Sequence, residues 1–231
     1  MKIIDPYAVI TKFESELILS RLEKAGRTCY KTENKITPAS AEIFLRMISG
    51  NGHHSVLEHE SIQVRFICDR GVTHELVRHR IAAYSQESTR YCNYGAEKFG
   101  NEITVIRPFF FKEPNATDGP YETSLRYYEW SEAMRHCEEA YITLIQDGAS
   151  PQEARSVLPN SLKTEIVSTM NIREWRNVFT QRCSPKAHPQ MRQLMIPLLL
   201  ELKGMLPVLF YDIDYDTTFR YADYAKIEKE D

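Results

Sequence analysis

The sequence predicts a mixed α/β fold, a single domain in which a mixed sheet is flanked by helices. Two periodicities carry this reading. Residues 61–68 and 163–170 alternate apolar and polar side chains with the two-residue period of a strand. Residues 15–29 and 121–147 instead repeat apolar side chains three and four apart, as one face of a helix does. Composition agrees: in 231 residues, 42% apolar and 26% charged are ordinary globular values, and the length buries a sizeable core in one domain.

From the N-terminus, 15–29 is the first helix, with Leu17, Ile18, Leu22, Ala25 and Cys29 in register. Thr37-Pro38 opens a second, which carries 41–48 and ends at Gly50. In the strand at 61–68, Ile62, Val64, Phe66 and Cys68 share the buried face. Gly71 breaks that strand, and Thr73 is placed to cap a helix running through Glu75 and Leu76 into Arg78. The polar stretch 85–93 reads as loop, 103–106 as a short strand, and 114–120, with Asn115, Asp118 and Gly119, as a turn region. The long helix at 121–147 stops at Gly148. Ser150-Pro151-Gln152-Glu153 then forms a capping box with proline at the first helical position, putting Arg155 in a short helix closed by Pro159. Asn171 with Glu174 repeats the capping pattern, so 172–182 is a helix entered directly from the strand at 163–170. A last helix over 190–205 is interrupted or bent at Pro197, and the acidic, tyrosine-rich tail from Tyr211 reads as peripheral.

Several function classes are disfavoured before any motif is considered. No apolar run approaches the roughly 20 residues that span a bilayer, and the first residues show neither a signal nor a transit pattern, so a cytoplasmic location is expected. Five scattered cysteines without a C-x-x-C pair suit a reducing compartment. Net charge is -3, so a general electrostatic hold on a nucleic-acid polymer is not indicated, and any basic site is local.

Two local concentrations of polar chemistry stand out. The first is Arg78-His79-Arg80 followed after seven residues by Ser88, with Arg90 beyond; the second is Asn171, Arg173, Asn177 and Arg182 on one helix. Arginine presents a planar, permanently charged fork, so several converging arginines suit a phosphate or a planar heterocycle. Arg173 and Asn177 are four apart and share a helix face. On spacing alone the first cluster is read equally well as a solvated helix end, Asn171 as a helix cap, and Arg155 as a surface charge. The histidines His53, His54, His59, His74 and His79 lack metal-ligand spacing, and no metal is expected. Cys183 can be imagined as a nucleophile, but a lone cysteine in this setting is read as inert.

The segment from Arg78 to Tyr91, Arg-His-Arg-Ile-Ala-Ala-Tyr-Ser-Gln-Glu-Ser-Thr-Arg-Tyr, resembles the signature of flavin-dependent thymidylate synthases: RHR, seven residues, Ser. Upstream, Gly52-His53-His54-Ser55-Val56-Leu57-Glu58-His59 is similar to that family's Gly-His-x-Ser/Thr-x-x-Glu-His block; downstream, Ala154-Arg155-x-x-Leu158-Pro159 and Asn171-x-Arg173 with Asn177 and Arg182 match in order. The resemblance covers 52–182 and departs from the common pattern at three places: Ser85-Gln86 replaces Asn-Glu, Ala83 stands where Ser is frequent, and Glu75 where Gln is frequent.

The resemblance implies that fold and a reductive methylation of dUMP to dTMP, with FAD as cofactor, NADPH as reductant and 5,10-methylenetetrahydrofolate as one-carbon donor. It implies FAD contacts at Ser55, Arg78, His79, Arg80, Gln86, Asn171, Arg173 and Asn177. It implies dUMP contacts at Glu75, Arg78, Gln86, Glu87, Ser88, Arg90, Arg155 and Arg182, with Arg182 in the activating catalytic role, and it sets His53 and Tyr91 near the folate. A homotetramer with active sites between subunits is implied as well, with small molecules rather than nucleic acid or membrane as partners. The rivals are a non-catalytic nucleotide- or RNA-binding module and a histidine-dependent metal hydrolase.

Overall fold

The computed structural model of the chain describes residues 1–112 and 121–230; the turn region expected over 114–120 lies outside these described residues. In chain order the elements are β1 (Lys2–Ile4), β2 (Tyr7–Ile10), α1 (Ser15–Tyr30), α2 (Ser40–Gly50), β3 (Ser61–Asp69), α3 (Arg70–Leu76), β4 (Ala82–Gln86), β5 (Thr104–Ile106), α4 (Tyr121–Gln146), α5 (Pro151–Ala154), β6 (Lys163–Asn171), α6 (Ile172–Arg182), α7 (Pro189–Met205), α8 (Pro207–Phe210) and β7 (Lys226–Lys229). The fold is mixed α/β. Two compact units divide it: Met1–Pro6, Ile67–Val77 and Ser85–Ile166 make the first, and Tyr7–Phe66, Arg78–Tyr84 and Val167–Asp231 the second.

In the first unit β1 pairs in parallel with β5, Lys2 opposite Thr104 and Ile4 opposite Ile106. Tyr94, Val105, Met134, Tyr141 and Leu162 form its core. Tyr141, from α4, is fully buried, and its hydroxyl accepts the Tyr94 N–H at 3.3 Å, which satisfies a polar atom that burial would otherwise penalise. Gly148 closes α4 in the left-handed region at φ +94°, conformationally cheap only for glycine. The capping box at α5 forms as expected, with the Glu153 carboxylate accepting from the Ser150 N–H at 2.8 Å and the Ser150 hydroxyl at 2.6 Å.

The cap of α3 differs from the sequence reading. Asp69, not Thr73, caps it, accepting the Val72 N–H at 2.8 Å, and Gly71 sits inside the first turn instead of ending the strand. A Cβ at position 71 would lie 2.9 Å from Asp69 Oδ1, so glycine leaves room for the cap. A second correction concerns Ser85 and Gln86, read as loop but found at the end of β4.

A five-stranded sheet has the order β4-β6-β3-β2-β7, in which β2 and β7, both in the second unit, run parallel. The tail is therefore not peripheral: β7 completes this sheet, and Ile213, Asp216 and Ala225 are buried. Its high charge hid an edge strand, whose outward side chains can stay polar. Helix α7 runs through Pro197 without interruption; Leu194, Ile196, Leu198, Leu199 and Leu202 are fully buried, and this packing offsets the lost backbone bond.

Helix α6 is anchored firmly. Trp175 is fully buried, its Nε1–H donates to the Ile62 carbonyl at 3.0 Å, and its ring stacks on Phe179 with centroids 5.5 Å apart. Phe179 in turn meets Phe210 edge-on at 5.8 Å. Truncating a buried tryptophan of this kind costs about 3–5 kcal/mol, so α6 is a rigid base for the side chains on its other face. There Arg173 and Asn177 are exposed, as their spacing of four requires.

Candidate active site

In the second unit, the chain leaving α3 alternates: Arg78 and Arg80 are exposed, while His79 between them is only 5% exposed. The Arg182 Nε–H donates to His79 Nε2 at 3.0 Å, and His79 Nδ1 lies 3.3 Å from Glu174 Oε1. Arginine has no acceptor, so Nε2 must present its lone pair; the single ring proton of a neutral imidazole then sits on Nδ1, facing the carboxylate. Burial, then the Arg182 charge, lowers the His79 pKa against the opposing pull of Glu174, which keeps the ring neutral. The Tyr84 hydroxyl donates to the His79 carbonyl at 2.8 Å and is pushed up to about 12 by burial and the Glu174 charge, with Arg182 opposing, so it stays protonated.

Glu174 is a residue the sequence reading used only as a capping partner. Half of that expectation holds: Asn171 Oδ1 accepts the Glu174 N–H at 2.8 Å and caps α6. The Glu174 carboxylate, 6% exposed, instead faces His79 and accepts from Asn177 Nδ2 at 3.2 Å. Gln181 Nε2 donates to Asn177 Oδ1 at 2.8 Å, fixing the amide orientation.

Asn171, Arg173, Glu174 and Asn177 line a cleft of about 400 Å³ with Glu58 and Ile81. Arg173 pairs with Glu58, which comes from the 3-10 turn His54–His59 that also carries exposed Ser55. Ile81 is 66% exposed, an apolar surface beside polar donors. This mixture, a flat apolar contact with a few fixed amide and cationic groups, is what a planar heterocycle requires. Elsewhere in this unit, Tyr30 Oη and His53 Nδ1 lie 2.5 Å apart, with their rings stacked at 22°. Tyr30 stands at the end of an amphipathic helix, and no sequence pattern marked it.

In the first unit, a tight turn gathers a second group. The Ser88 carbonyl accepts the Tyr91 N–H at 3.1 Å and the Cys92 N–H at 2.9 Å, and Ser88 Oγ accepts the Arg90 N–H at 3.3 Å. Arg155, in the 3-10 turn after α5, donates to Thr89 Oγ1 at 3.5 Å, which brings two arginines to one turn. The Arg90 guanidinium lies 5.5 Å from the centre of the Tyr91 ring, which is 76% exposed. A hydroxyl and two guanidinium groups at a turn suit an anion such as a phosphate monoester.

Two further residues that the resemblance assigns to the nucleotide are engaged within the unit. Gln86 Nε2 donates to Thr73 Oγ1 at 3.0 Å and Thr164 Oγ1 at 3.3 Å. Glu87 accepts from Tyr94 Oη at 2.8 Å and from Lys163 Nζ at 2.9 Å. Burial opposes the charge on Lys163, but the hydrogen bonds it donates to Glu87 and Glu165 outweigh it and raise its pKa. Glu75 lies on α3, half-buried. The Cys183 thiol is buried and pushed far up, unsuited to act as a nucleophile. Among the described residues, no group of three or more His, Cys, Asp or Glu is gathered to hold a metal, and no helix is long and apolar enough to cross a membrane.

Comparison with known proteins gives a consistent answer. A family model described as thymidylate synthase complementing protein matches residues 17–208. A flavin-dependent thymidylate synthase of Geobacter sulfurreducens is 35% identical over 195 residues, covering 81% of this chain and 78% of that protein. One from Corynebacterium efficiens is 34% identical over 205 residues, 85% of this chain and 80% of that one. Among solved structures, the UMP/dUMP methylase PolB from Streptomyces cacaoi bound with 5-Br dUMP superposes with a TM-score of 0.74 at 17% identity, covering 91% of this chain and 96% of that chain. Thymidylate synthase X from Helicobacter pylori with FAD and dUMP gives 0.68 at 22% identity, covering 90% and 98%. Those two likenesses establish the fold; the family match and the curated relatives establish more, and they weigh against the reading as a non-catalytic binding module. This chain belongs to the flavin-dependent thymidylate synthase family.

Proposed function

We propose that the chain methylates dUMP to dTMP, taking the one-carbon unit from 5,10-methylenetetrahydrofolate and reducing equivalents ultimately from NADPH. The observation that carries the site assignment is the cleft beside α6, where Asn171, Arg173 and Asn177 stand on a helix held rigid by Trp175. Its donor set fits the polar edge of a flavin, and Ile81 gives an apolar face for the ring. Ser55, Arg78, Arg80 and Gln86 complete the set assigned to FAD, with His79 contributing only its main chain because its ring is 5% exposed. When bound, reduced flavin supplies the hydride.

The protein's own residues bind, orient and balance charge. Ser88, Arg90 and Arg155 hold the nucleotide phosphate, with Glu75, Arg78, Gln86 and Glu87 assigned to the same ligand. The Glu87 carboxylate is already taken by Tyr94 and Lys163, and its N–H by the Glu165 carbonyl. Arg182 stabilises negative charge on the uracil ring as its N3 proton leaves. His53, steadied by Tyr30, and Tyr91 meet the folate. Alignment of bound reactants contributes on the order of 7–11 kcal/mol, so no protein nucleophile is required. The working form is a homotetramer in the cytoplasm, whose sites draw on more than one subunit.

The test is turnover with FAD, NADPH and methylene-tetrahydrofolate, offering dUMP and UMP in parallel. Product from dUMP that requires FAD supports the reading. Product from UMP alone would move the substrate to the ribonucleotide, and binding of nucleotide without product would sink the catalytic reading.

A further inference from the structure

The Arg182–His79–Glu174 chain is built with more care than a contact to ligand needs. His79 and Glu174 are 5% and 6% exposed, so neither offers much surface to a substrate. Both imidazole nitrogens are engaged, Nε2 by the Arg182 Nε–H at 3.0 Å and Nδ1 towards Glu174 at 3.3 Å. Two of the three are tied down further: Tyr84 Oη donates to the His79 carbonyl, and Asn177 donates to Glu174.

We infer that His79 and Glu174 are positioning residues for the thymidylate synthase reaction: Glu174 fixes the imidazole tautomer, and the Nε2 lone pair thereby holds the Arg182 guanidinium in its working orientation. The direction follows from donor and acceptor inventory alone. Arginine can only donate, so the ring must accept at Nε2, and its proton is forced to Nδ1, where a carboxylate is the complementary partner. The opposite tautomer, or an imidazolium, would set N–H against N–H at Arg182. Arginine is a long side chain with many rotamers, so an unheld guanidinium samples many orientations. This inference rests on the assignment of Arg182 as the activating residue.

Two measurements test it. The first is nitrogen-15 NMR of the histidine-labelled full-length protein, with the His79 signal identified by its loss in His79→Gln. Nε2 unprotonated and Nδ1 protonated at neutral pH is expected; a protonated Nε2 overturns the inference whatever the kinetics. The second is a double-mutant cycle on kcat. His79→Ala and Glu174→Ala should each lower kcat by about 10- to 100-fold, the order of loss that follows a misplacement of about 1 Å, with the KM for dUMP little changed. His79→Gln, which restores an acceptor, should recover part of the loss. Adding His79→Ala to Arg182→Ala should cost nothing further, because the histidine acts only through the arginine. Losses that multiply would overturn the inference. If Arg182→Ala alone leaves kcat intact, the catalytic assignment of Arg182 fails, and the NMR result still judges the tautomer independently.

Discussion

Asn171 has two roles that a substitution series separates. Its Oδ1 accepts the Glu174 N–H at 2.8 Å and caps α6, and it lines the cleft with Arg173 and Asn177. Asn171→Ala removes the cap, which costs about 1 kcal/mol. In a chain of this size that lowers Tm by roughly 2–4 °C. Asn171→Asp keeps an acceptor at the cap and adds a negative charge at the helix N-terminus, worth about 0.3–1 kcal/mol, part of it offset by the Glu174 carboxylate. Stability should therefore stay near that of the parent. The amide donor is lost in both variants. Leaving a ligand group unpaired costs about 1–3 kcal/mol, so flavin affinity should fall roughly 5- to 150-fold in both. Differential scanning fluorimetry reads the first effect and flavin titration by fluorescence the second. An aspartate variant that binds FAD as tightly as the parent would refute the flavin contact and leave Asn171 as a cap alone.

Other expectations follow from the same geometry. Arg182→Lys should lower kcat more than it weakens dUMP binding, because a point charge cannot replace a planar fork already aimed by His79; unchanged turnover in steady-state assays would count against its role. Glu87→Ala strips Tyr94 and Lys163 of a half-buried acceptor and should cost about 1–3 kcal/mol in urea unfolding, while an effect on nucleotide affinity with no change in stability would contradict its structural reading. Asp216 and Asp212 are held below the ordinary carboxylate range, the first chiefly by Thr218 and then Arg192, the second by Arg176. A depressed folded pKa gives stability that is present above the unfolded value, so it should persist down to about pH 4 and drain away below it. A flat stability profile between pH 5 and pH 2 would show that these pairs contribute nothing.

Much of the fold was legible because burial is one-sided. Alternation at Ile62, Val64 and Phe66, helical spacing at Ile18 and Leu22, and the box at Ser150 each state a local rule that the structure keeps. What sequence missed was set by tertiary context. The charged strand β7 is defined by its pairing with β2, and the cap of α3 by a side chain on the preceding strand. In the candidate site, the exposed arginines were conspicuous from composition alone, whereas Glu174 and Tyr30 were not. The first was explained away by a capping pattern it only half fulfils, and the second matters through one contact to His53, 23 residues away. A spacing rule sees neighbours along a helix; it does not see which buried nitrogen a carboxylate faces.

The most direct test of the central claim is an anaerobic incubation of the purified chain with FAD, NADPH, methylene-tetrahydrofolate and dUMP, with dTMP read by chromatography. We expect dTMP to form and to vanish when FAD is left out of apoprotein. Folded protein that retains flavin and nucleotide yet makes no dTMP would contradict the claim.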